Sequence, residues 1–240
     1  MSEVLFAIPS KGRLKEDCFA LLARAGLAVA PPDERSYETT IPALPGVRII
    51  LISASEIADR LARGDFDAGI TGEDVMRERM GHLDGAERRD DVQAIGTGGP
   101  LRVRRLGFGP ARLVVAAPMA WVDCETMDDL REISAEIRRR QHRPLRVATK
   151  YVRLTRAFFA RHLVTDYRIV LSTGATEAAP ASGLADVIVD ITTSGATLRD
   201  NKLAILSDGE MFASEACLFL TARSADPSPA LATLRRRLAA

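Results

Sequence analysis

Along most of this chain, short β-branched runs alternate with stretches of helical periodicity, and that alternation restricts its fold more than any other feature. Residues 4–8 read as a strand. Residues 14–25 read as a helix, with Leu14, Cys18, Leu21, Leu22 and Ala25 on one face and Gly26 closing it. Val47–Ile52 is nearly continuous in apolar residues, as suits a strand buried on both faces. Further strands are predicted at 67–70, 113–117, 145–148, 168–171 and 187–191. Further helices are predicted at 55–63, 73–80, 127–139, 152–162 and 229–238. The alternation predicts an α/β fold with largely parallel sheets. Residues 81–100 carry many glycines and charges with no clear period, and read as a loop or surface excursion.

Composition narrows the function. The chain has 240 residues, room for one large domain or two small ones, and 47% are apolar, enough for a sizeable core. Lys and Arg number 33 against 32 Asp and Glu, a net charge of +1 that argues against nucleic acid as a partner. The basic clusters at 138–143 (RRRQHR) and 235–237 lack interleaved aromatics and read as solvated helix ends. No apolar run approaches the roughly 18–20 residues of a membrane span. At the N-terminus an acid precedes the apolar run and the bases follow it, the reverse of a secretory signal. Cys18, Cys124 and Cys217 are odd in number and lack metal spacing, as expected for reduced thiols in a cytoplasmic protein. His82, His142 and His162 have no ligand spacing, and neither a GxSxG elbow nor an HExxH pair occurs. Hydrolytic metal, triad and thiol chemistry are therefore not expected.

Four strand-to-helix loops remain as candidates, since open α/β sheets bind ligands beyond the carboxyl ends of their strands. In ADVIVDITTSGATL, Gly195 lets the backbone approach a phosphate, Ser194 and Thr197 offer hydroxyls, and Asp190 stands at the strand end. A carboxylate there can hold sugar hydroxyls, or magnesium through water. The same stretch is compatible with an ordinary capped turn. In PSKGRL, Lys11 and Arg13 flank Gly12, two cations on one glycine turn, which suits a polyphosphate or is simply an exposed basic turn. It is not a Walker loop, since GxxxxGK[ST] is absent. In GITGED, Glu73 and Asp74 open a helix, compatible with capping or with a nucleotide's polar edge. In ATKY, Lys150 is available to an anion. Four such loops, two of them basic, point to a multiply phosphorylated ligand.

Together these blocks resemble one family, the ATP phosphoribosyltransferases that open histidine biosynthesis. The stretch EAAPASGLADVIVDITTSGATL is similar to the family signature, an acid followed by G-L-A-D-x-I-x-D and S/T-G-x-T-L. PSKGRL with LLARAGL, then DAGITGEDV, LGFGPARLVVAAP and RVATKYVRLTRAFFA, resemble its other blocks in order. The resemblance implies a two-lobed, periplasmic-binding-protein-like α/β fold with a central cleft. The chain would cross twice, near 107–111 and 183–186, giving lobe I as 1–107 and 185–240 and lobe II as 108–184. About 40 residues follow the signature, so the chain resembles the short form of the family, without the long form's histidine-binding domain.

The implied reaction joins ATP to 5-phosphoribosyl pyrophosphate (PRPP). Adenine N1 attacks the ribose C1′ and magnesium pyrophosphate leaves with inversion. Magnesium would travel with PRPP, with no direct protein ligand expected. Arg13 and Arg35 are the implied catalytic cations on the leaving pyrophosphate. Thr193, Ser194, Gly195, Ala196, Thr197 and Leu198 would hold the 5′-phosphate, and Asp190 with Glu177 the ribose. Lys11, Gly12, Glu73, Asp74 and Lys150 are expected to contact ATP or phosphates. The short form also implies a histidyl-tRNA-synthetase-like regulatory subunit, with a homodimer inside a hetero-oligomer. One departure stands out: where the family often has an arginine and then a proline after the Val47–Ile52 strand, this chain has Ser53 and Ala54. The alternative is a non-enzymatic two-lobed small-anion binder or sensor; two polyphosphate loops favour the transferase.

Overall fold

The computed structural model describes residues 3–31, 36–80, 93–94, 101–221 and 228–239. Its first half runs β1 (Val4–Pro9), α1 (Gly12–Arg24), β2 (Glu38–Thr40), β3 (Val47–Ile52), α2 (Ala54–Arg63), β4 (Ala68–Gly72), α3 (Glu73–Met80), β5 (Gln93–Ala94) and β6 (Leu101–Arg105). Next come β7 (Ala111–Pro118), α4 (Met127–Gln141), β8 (Leu145–Thr149), α5 (Val152–Arg161) and β9 (Tyr167–Leu171). A 3-10 turn at Thr176–Ala178 precedes β10 (Val187–Thr192), α6 (Ala196–Asp200), β11 (Leu203–Ser214), β12 (Ala216–Leu220) and α7 (Pro229–Ala239). Residues 81–92 and 95–100, most of the expected surface excursion, lie outside the described residues.

The chain divides into two compact units, Met1–Gly109 with Glu215–Ala240, and Pro110–Ser214. It passes between them at Gly109–Pro110 and at Ser214–Glu215. The second passage corrects the expectation of a crossing near 183–186 with 185–240 in lobe I: residues 185–214 belong to the second unit. The reason is strand pairing. β10 is bonded to β7 and β8, and β11 to β7, so neither can leave that sheet. Only at β12 does the chain return, pairing with β4 and β6.

The first unit holds a seven-stranded sheet in the order β2-β3-β1-β4-β12-β6-β5. Strands β3, β1 and β4 are parallel; β2, β12, β6 and β5 join antiparallel. The second unit holds five strands in the order β11-β7-β10-β8-β9, with β10, β8 and β9 parallel and β7 and β11 antiparallel. The expected largely parallel sheets are thus mixed, because the later strands return beside existing edges rather than through helical crossovers.

Period-two alternation explains the apolar runs. In β1, Val4, Phe6 and Ile8 enter one core with Cys18 and Leu22 of α1 and Leu231, Leu234 and Leu238 of α7. Ala7 enters the opposite core with Ile57, Ala58 and Leu61 of α2, Phe66 and Met76. β12 does the same, Leu218 facing the first core and Phe219 the second. A strand covered on both faces needs apolar residues at every position. In the second unit, Val114 and Ala116 of β7 pack with Ile188 of β10 and Leu198 of α6. Helix starts are capped where the sequence allows. Ser53 accepts from the Glu56 N–H at 3.2 Å, and Thr126 and Asp129 form a reciprocal capping box on α4.

Candidate active site

In the second unit, the carboxyl ends of β10, β8 and β9 emerge along one edge, because the three strands are parallel and in register. At the end of β10 lies an open hollow of about 380 Å³, lined by Ala111, Glu177, Asp190, Ile191, Thr192, Thr193, Ser194, Thr197 and Leu198. Six of these lining residues are ones that the sequence singled out: Glu177, Asp190, Thr193, Ser194, Thr197 and Leu198. Gly195 and Ala196 lie within the same turn and join the strand to α6.

The turn is held by its own hydroxyls. Thr192 Oγ1 accepts from the Gly195 N–H at 2.9 Å, and Ser194 Oγ accepts from the Ala196 N–H at 3.3 Å. Thr193 Oγ1 donates to the Pro110 carbonyl at 3.1 Å, tying the turn to the start of β7. Gly195 has φ +73°, the left-handed region where an L side chain is strained. The first turn of α6 leaves backbone N–H groups without intrahelical partners, the arrangement that favours an anion.

Asp190 is half-buried, and burial pushes its carboxyl above the usual range. The Ile191 N–H, which donates to Oδ1 at 2.8 Å, opposes the shift, as do the Lys150 charge and the Thr176 hydroxyl, whereas Glu177 adds to it. Lys150 itself is exposed, 5.1 Å from the ring centroid of the buried Tyr151, whose N–H donates to Thr149 Oγ1 at 2.9 Å. Lys150 does not line the hollow but stands one residue beyond the end of β8, the strand beside β10.

The first unit gathers the other loops. The carboxyl ends of β1, β3 and β4 share an edge, bringing together Lys11, Gly12 and Arg13, the Ser53 cap, and Glu73 with Asp74. Lys11, Gly12 and Arg13 are exposed, and neither cation is in an ion pair among the described residues. Gly12 has φ +67°, which turns the chain from β1 into α1. Glu73 is 1% exposed, and its carboxylate is clamped by two arginines. Arg77 donates to Oε1 from Nε and Nη2 at 3.1 and 2.8 Å, and Arg105 donates to Oε2 at the same two distances. Both oxygens of Glu73 therefore serve the fold, tying α3 to the end of β6. Asp74 is buried at 5% exposure. Arg35 lies outside the described residues.

Three groups escaped the sequence reading. Asp186, inside the signature, is not at the hollow but accepts from Nη1 and Nη2 of Arg143 (2.6 and 3.0 Å) and from the N–H, Nε and Nη2 of Arg146 (2.8, 3.3 and 2.9 Å). Burial alone would raise its carboxyl, yet these donors hold it down at about 2. Glu215, at the second passage between units, accepts from the Gly107 N–H at 3.0 Å and pairs with Arg105. Arg112 pairs with Glu210 at 3.0 Å, opposite Thr192. Each depends on a partner far along the chain, which no local pattern reveals.

The profile of the HisG family, ATP phosphoribosyltransferase, matches residues 53–240. The chain is 48% identical over 241 residues to an ATP phosphoribosyltransferase of Mesorhizobium japonicum, covering 99% of this chain and 98% of the relative. It is 50% identical over 223 residues to one of Rhodopseudomonas palustris, covering 92% of this chain but 64% of that longer relative. Among solved structures, the ATP phosphoribosyl transferase (HisG:HisZ) complex from Thermotoga maritima aligns with a TM-score of 0.68 at 22% identity, over 98% of this chain and 96% of that one. The periplasmic aliphatic sulphonate binding protein SsuA from Escherichia coli aligns with a TM-score of 0.53 at 16% identity, over 100% of this chain and 73% of that one. At these identities the two structures bear on the fold, which is the α/β architecture common to both.

Proposed function

The chain belongs to the ATP phosphoribosyltransferase family, whose reaction is the first step of histidine biosynthesis, and we propose that it binds PRPP at the β10–α6 turn and ATP through its basic loops. The observation that carries this reading is the hollow where a hydroxyl-rich strand–helix turn meets two carboxylates. The turn offers hydroxyls and N–H groups to the 5′-phosphate. Asp190 and Glu177 accept from the ribose hydroxyls and favour the developing positive charge at C1′. Magnesium arrives as part of the PRPP substrate. The non-enzymatic binder is not favoured, since relatives at 48% and 50% identity are transferases by name.

Adenine N1 is a weak nucleophile with no proton to lose, so the chemistry asks for alignment and for charge neutralisation at the departing pyrophosphate. In this reading Arg13 supplies the charge, with Arg35 as the second cation, and Lys11, Gly12, Asp74 and Lys150 position phosphates. Glu73 acts through the fold, by holding Arg77 and Arg105. The HisZ component of the Thermotoga maritima complex supports a regulatory partner of that type here, and in this reading the chain is a homodimer within the hetero-oligomer. A biosynthetic role suits the cytoplasm, and no helix of the described residues is long and apolar enough to cross a membrane.

The test is absorbance of the phosphoribosyl-ATP adduct in a mixture of the purified chain, ATP, PRPP and magnesium, with and without a HisZ-type partner. Adduct formation in either arm supports the transferase; none in both, with the partner bound, overturns it. Arg13→Ala is expected to lower kcat by about 10²–10³-fold, as for loss of one transition-state contact, with the KM for PRPP shifted less than about threefold. Equal losses in both constants would remove Arg13 from the leaving group.

A further inference from the structure

The hollow has a charge problem that its own lining does not solve. It is lined by two carboxylates, neutral hydroxyls and apolar groups, and by no basic side chain. A phosphate entering beside Glu177 and Asp190 would meet like charge in a partly desolvated space. Backbone N–H groups offset part of that repulsion, and a cation is needed for the rest. Three stand nearby. Lys150 continues the β8–β10 register, in which Val147 pairs with Val187 and Ala148 with Ile188, so it falls beside Asp190 and compensates that carboxylate. Arg199 donates to the Ser194 carbonyl at 3.1 Å and props the turn from beneath. The third is Arg112.

Arg112 is paired with Thr192 across the antiparallel β7–β10 ladder, and Val114 with Asp190. Directly opposed residues share one face of a sheet, with Cβ atoms about 4.5–5.5 Å apart. Arg112 therefore emerges on the face that carries Asp190 and Thr192 into the hollow. Its neighbour Ala111 lines the hollow, and Pro110 accepts from Thr193 of the turn. The guanidinium is 40% exposed and bonded through Nη1 to Glu210 Oε2 at 3.0 Å, with Glu210 41% exposed. The β11–β7 register shifts on both sides of Glu210, an irregularity of the kind that re-aims a side chain. Among the described residues this is the one ion pair of Arg112.

We propose that Arg112 is a phosphate-recognition residue of this site, and that Glu210 holds it in the empty enzyme and releases it to the 5′-phosphate of PRPP. The exchange replaces one exposed carboxylate with a doubly charged, bidentate acceptor, and charge-assisted bonds of that kind are the stronger ones. Glu210 holds the arginine through Nη1 and also competes with the ligand. This rests on PRPP occupying the β10–α6 turn.

Opposite signs test it. Arg112→Ala should raise the Kd for ribose 5-phosphate and the KM for PRPP by about 10–100-fold, with the KM for ATP and the Kd for pyrophosphate changed less than about twofold. Glu210→Gln removes the competitor and should lower the Kd for ribose 5-phosphate by about two- to fivefold. A purely structural pair would respond alike to both substitutions, so a loss of affinity in Glu210→Gln matching that in Arg112→Ala overturns the proposal. Unchanged ribose 5-phosphate affinity in a folded Arg112→Ala also overturns it. Arg112→Lys should recover part of the affinity, since the charge returns without the fork. If the wild-type protein fails to bind ribose 5-phosphate by calorimetry while still forming the adduct, the turn is not the phosphate subsite, and both this proposal and the assignment beneath it fall. If wild type binds and only the variant pattern fails, the assignment stands and Arg112 is excluded.

Discussion

At the scale of single residues, the same residue type does different work according to what surrounds it. Asp190 and Asp186 stand four positions apart in the signature. Asp190 keeps a face on the hollow and is pushed up by burial, whereas Asp186 is 8% exposed and pulled down to about 2 by two arginines. The depressed carboxyl carries a pH signature. Its stabilisation is fully present above its ordinary value near 4 and is lost as pH falls through about 2. Over the interval from pH 5 to pH 2 that loss amounts to about 2 kcal/mol. Denaturant titrations between pH 5 and pH 2 should therefore show wild type losing about that much more stability than Asp186→Asn across this interval. At neutral pH, Asp186→Asn should be less stable by about 3 kcal/mol, since it leaves Arg143 and Arg146 without their carboxylate. Identical pH slopes for the two proteins would contradict the assigned pKa. Gly195 illustrates the opposite case, a residue whose role is read from what it lacks, since its φ of +73° excludes a side chain at low cost.

Among elements, legibility followed burial. β1 is covered on both faces, and β3 and the first half of β10 nearly so, which makes most positions apolar and lets the run announce itself. β11 does not: LAILSDGEMFAS mixes Gly, acids and apolar residues and is bent by register shifts against β7. It is a strand because β7 offers an unfilled edge, a fact absent from its own composition. α6 has five residues and no periodicity to read, and it exists because the turn before it is pinned by Thr192 and Ser194. α4 is the local extreme, written by its own start. Thr126 accepts from the Asp129 N–H at 3.2 Å while Asp129 accepts from the Thr126 N–H at 2.8 Å. Thr126→Ala should destabilise the chain by about 1 kcal/mol in denaturant unfolding while leaving PRPP affinity unchanged. A coupled loss of affinity would mean that α4 communicates with the hollow.

For the whole molecule, the relevant fact is that one unit is continuous and the other is not. Pro110–Ser214 closes its own sheet and contains the hollow, Lys150 and the Arg112–Glu210 pair. The other unit needs Glu215–Ala240 to place β12 between β4 and β6 and to supply the α7 leucines to its core. Residues 110–214 expressed alone should therefore fold cooperatively and bind ribose 5-phosphate, whereas residues 1–109 alone should lack protected amide exchange in β4 and β6. Circular dichroism, calorimetry and hydrogen exchange on the two fragments check this. An unfolded 110–214 fragment would show that the unit division is one of contacts and not of independent stability.

The α/β class, most strand and helix positions, the family and the turn that lines the hollow were all legible in the chain's own residues. These depend on short-range rules: period two in strands, 3.6 in helices, and Ser, Thr and Gly where a strand turns into a helix. Tertiary structure decided the rest. It set the return of β11 and β12 to two different sheets, moving the second passage to Ser214–Glu215. It turned Glu73 into an arginine clamp and put Arg112 across from Thr192. The Arg77 half of that clamp is local, four residues along α3, but the other pairings are distant, 32 residues for Arg105 with Glu73, and the chain alone leaves them open until the sheets form.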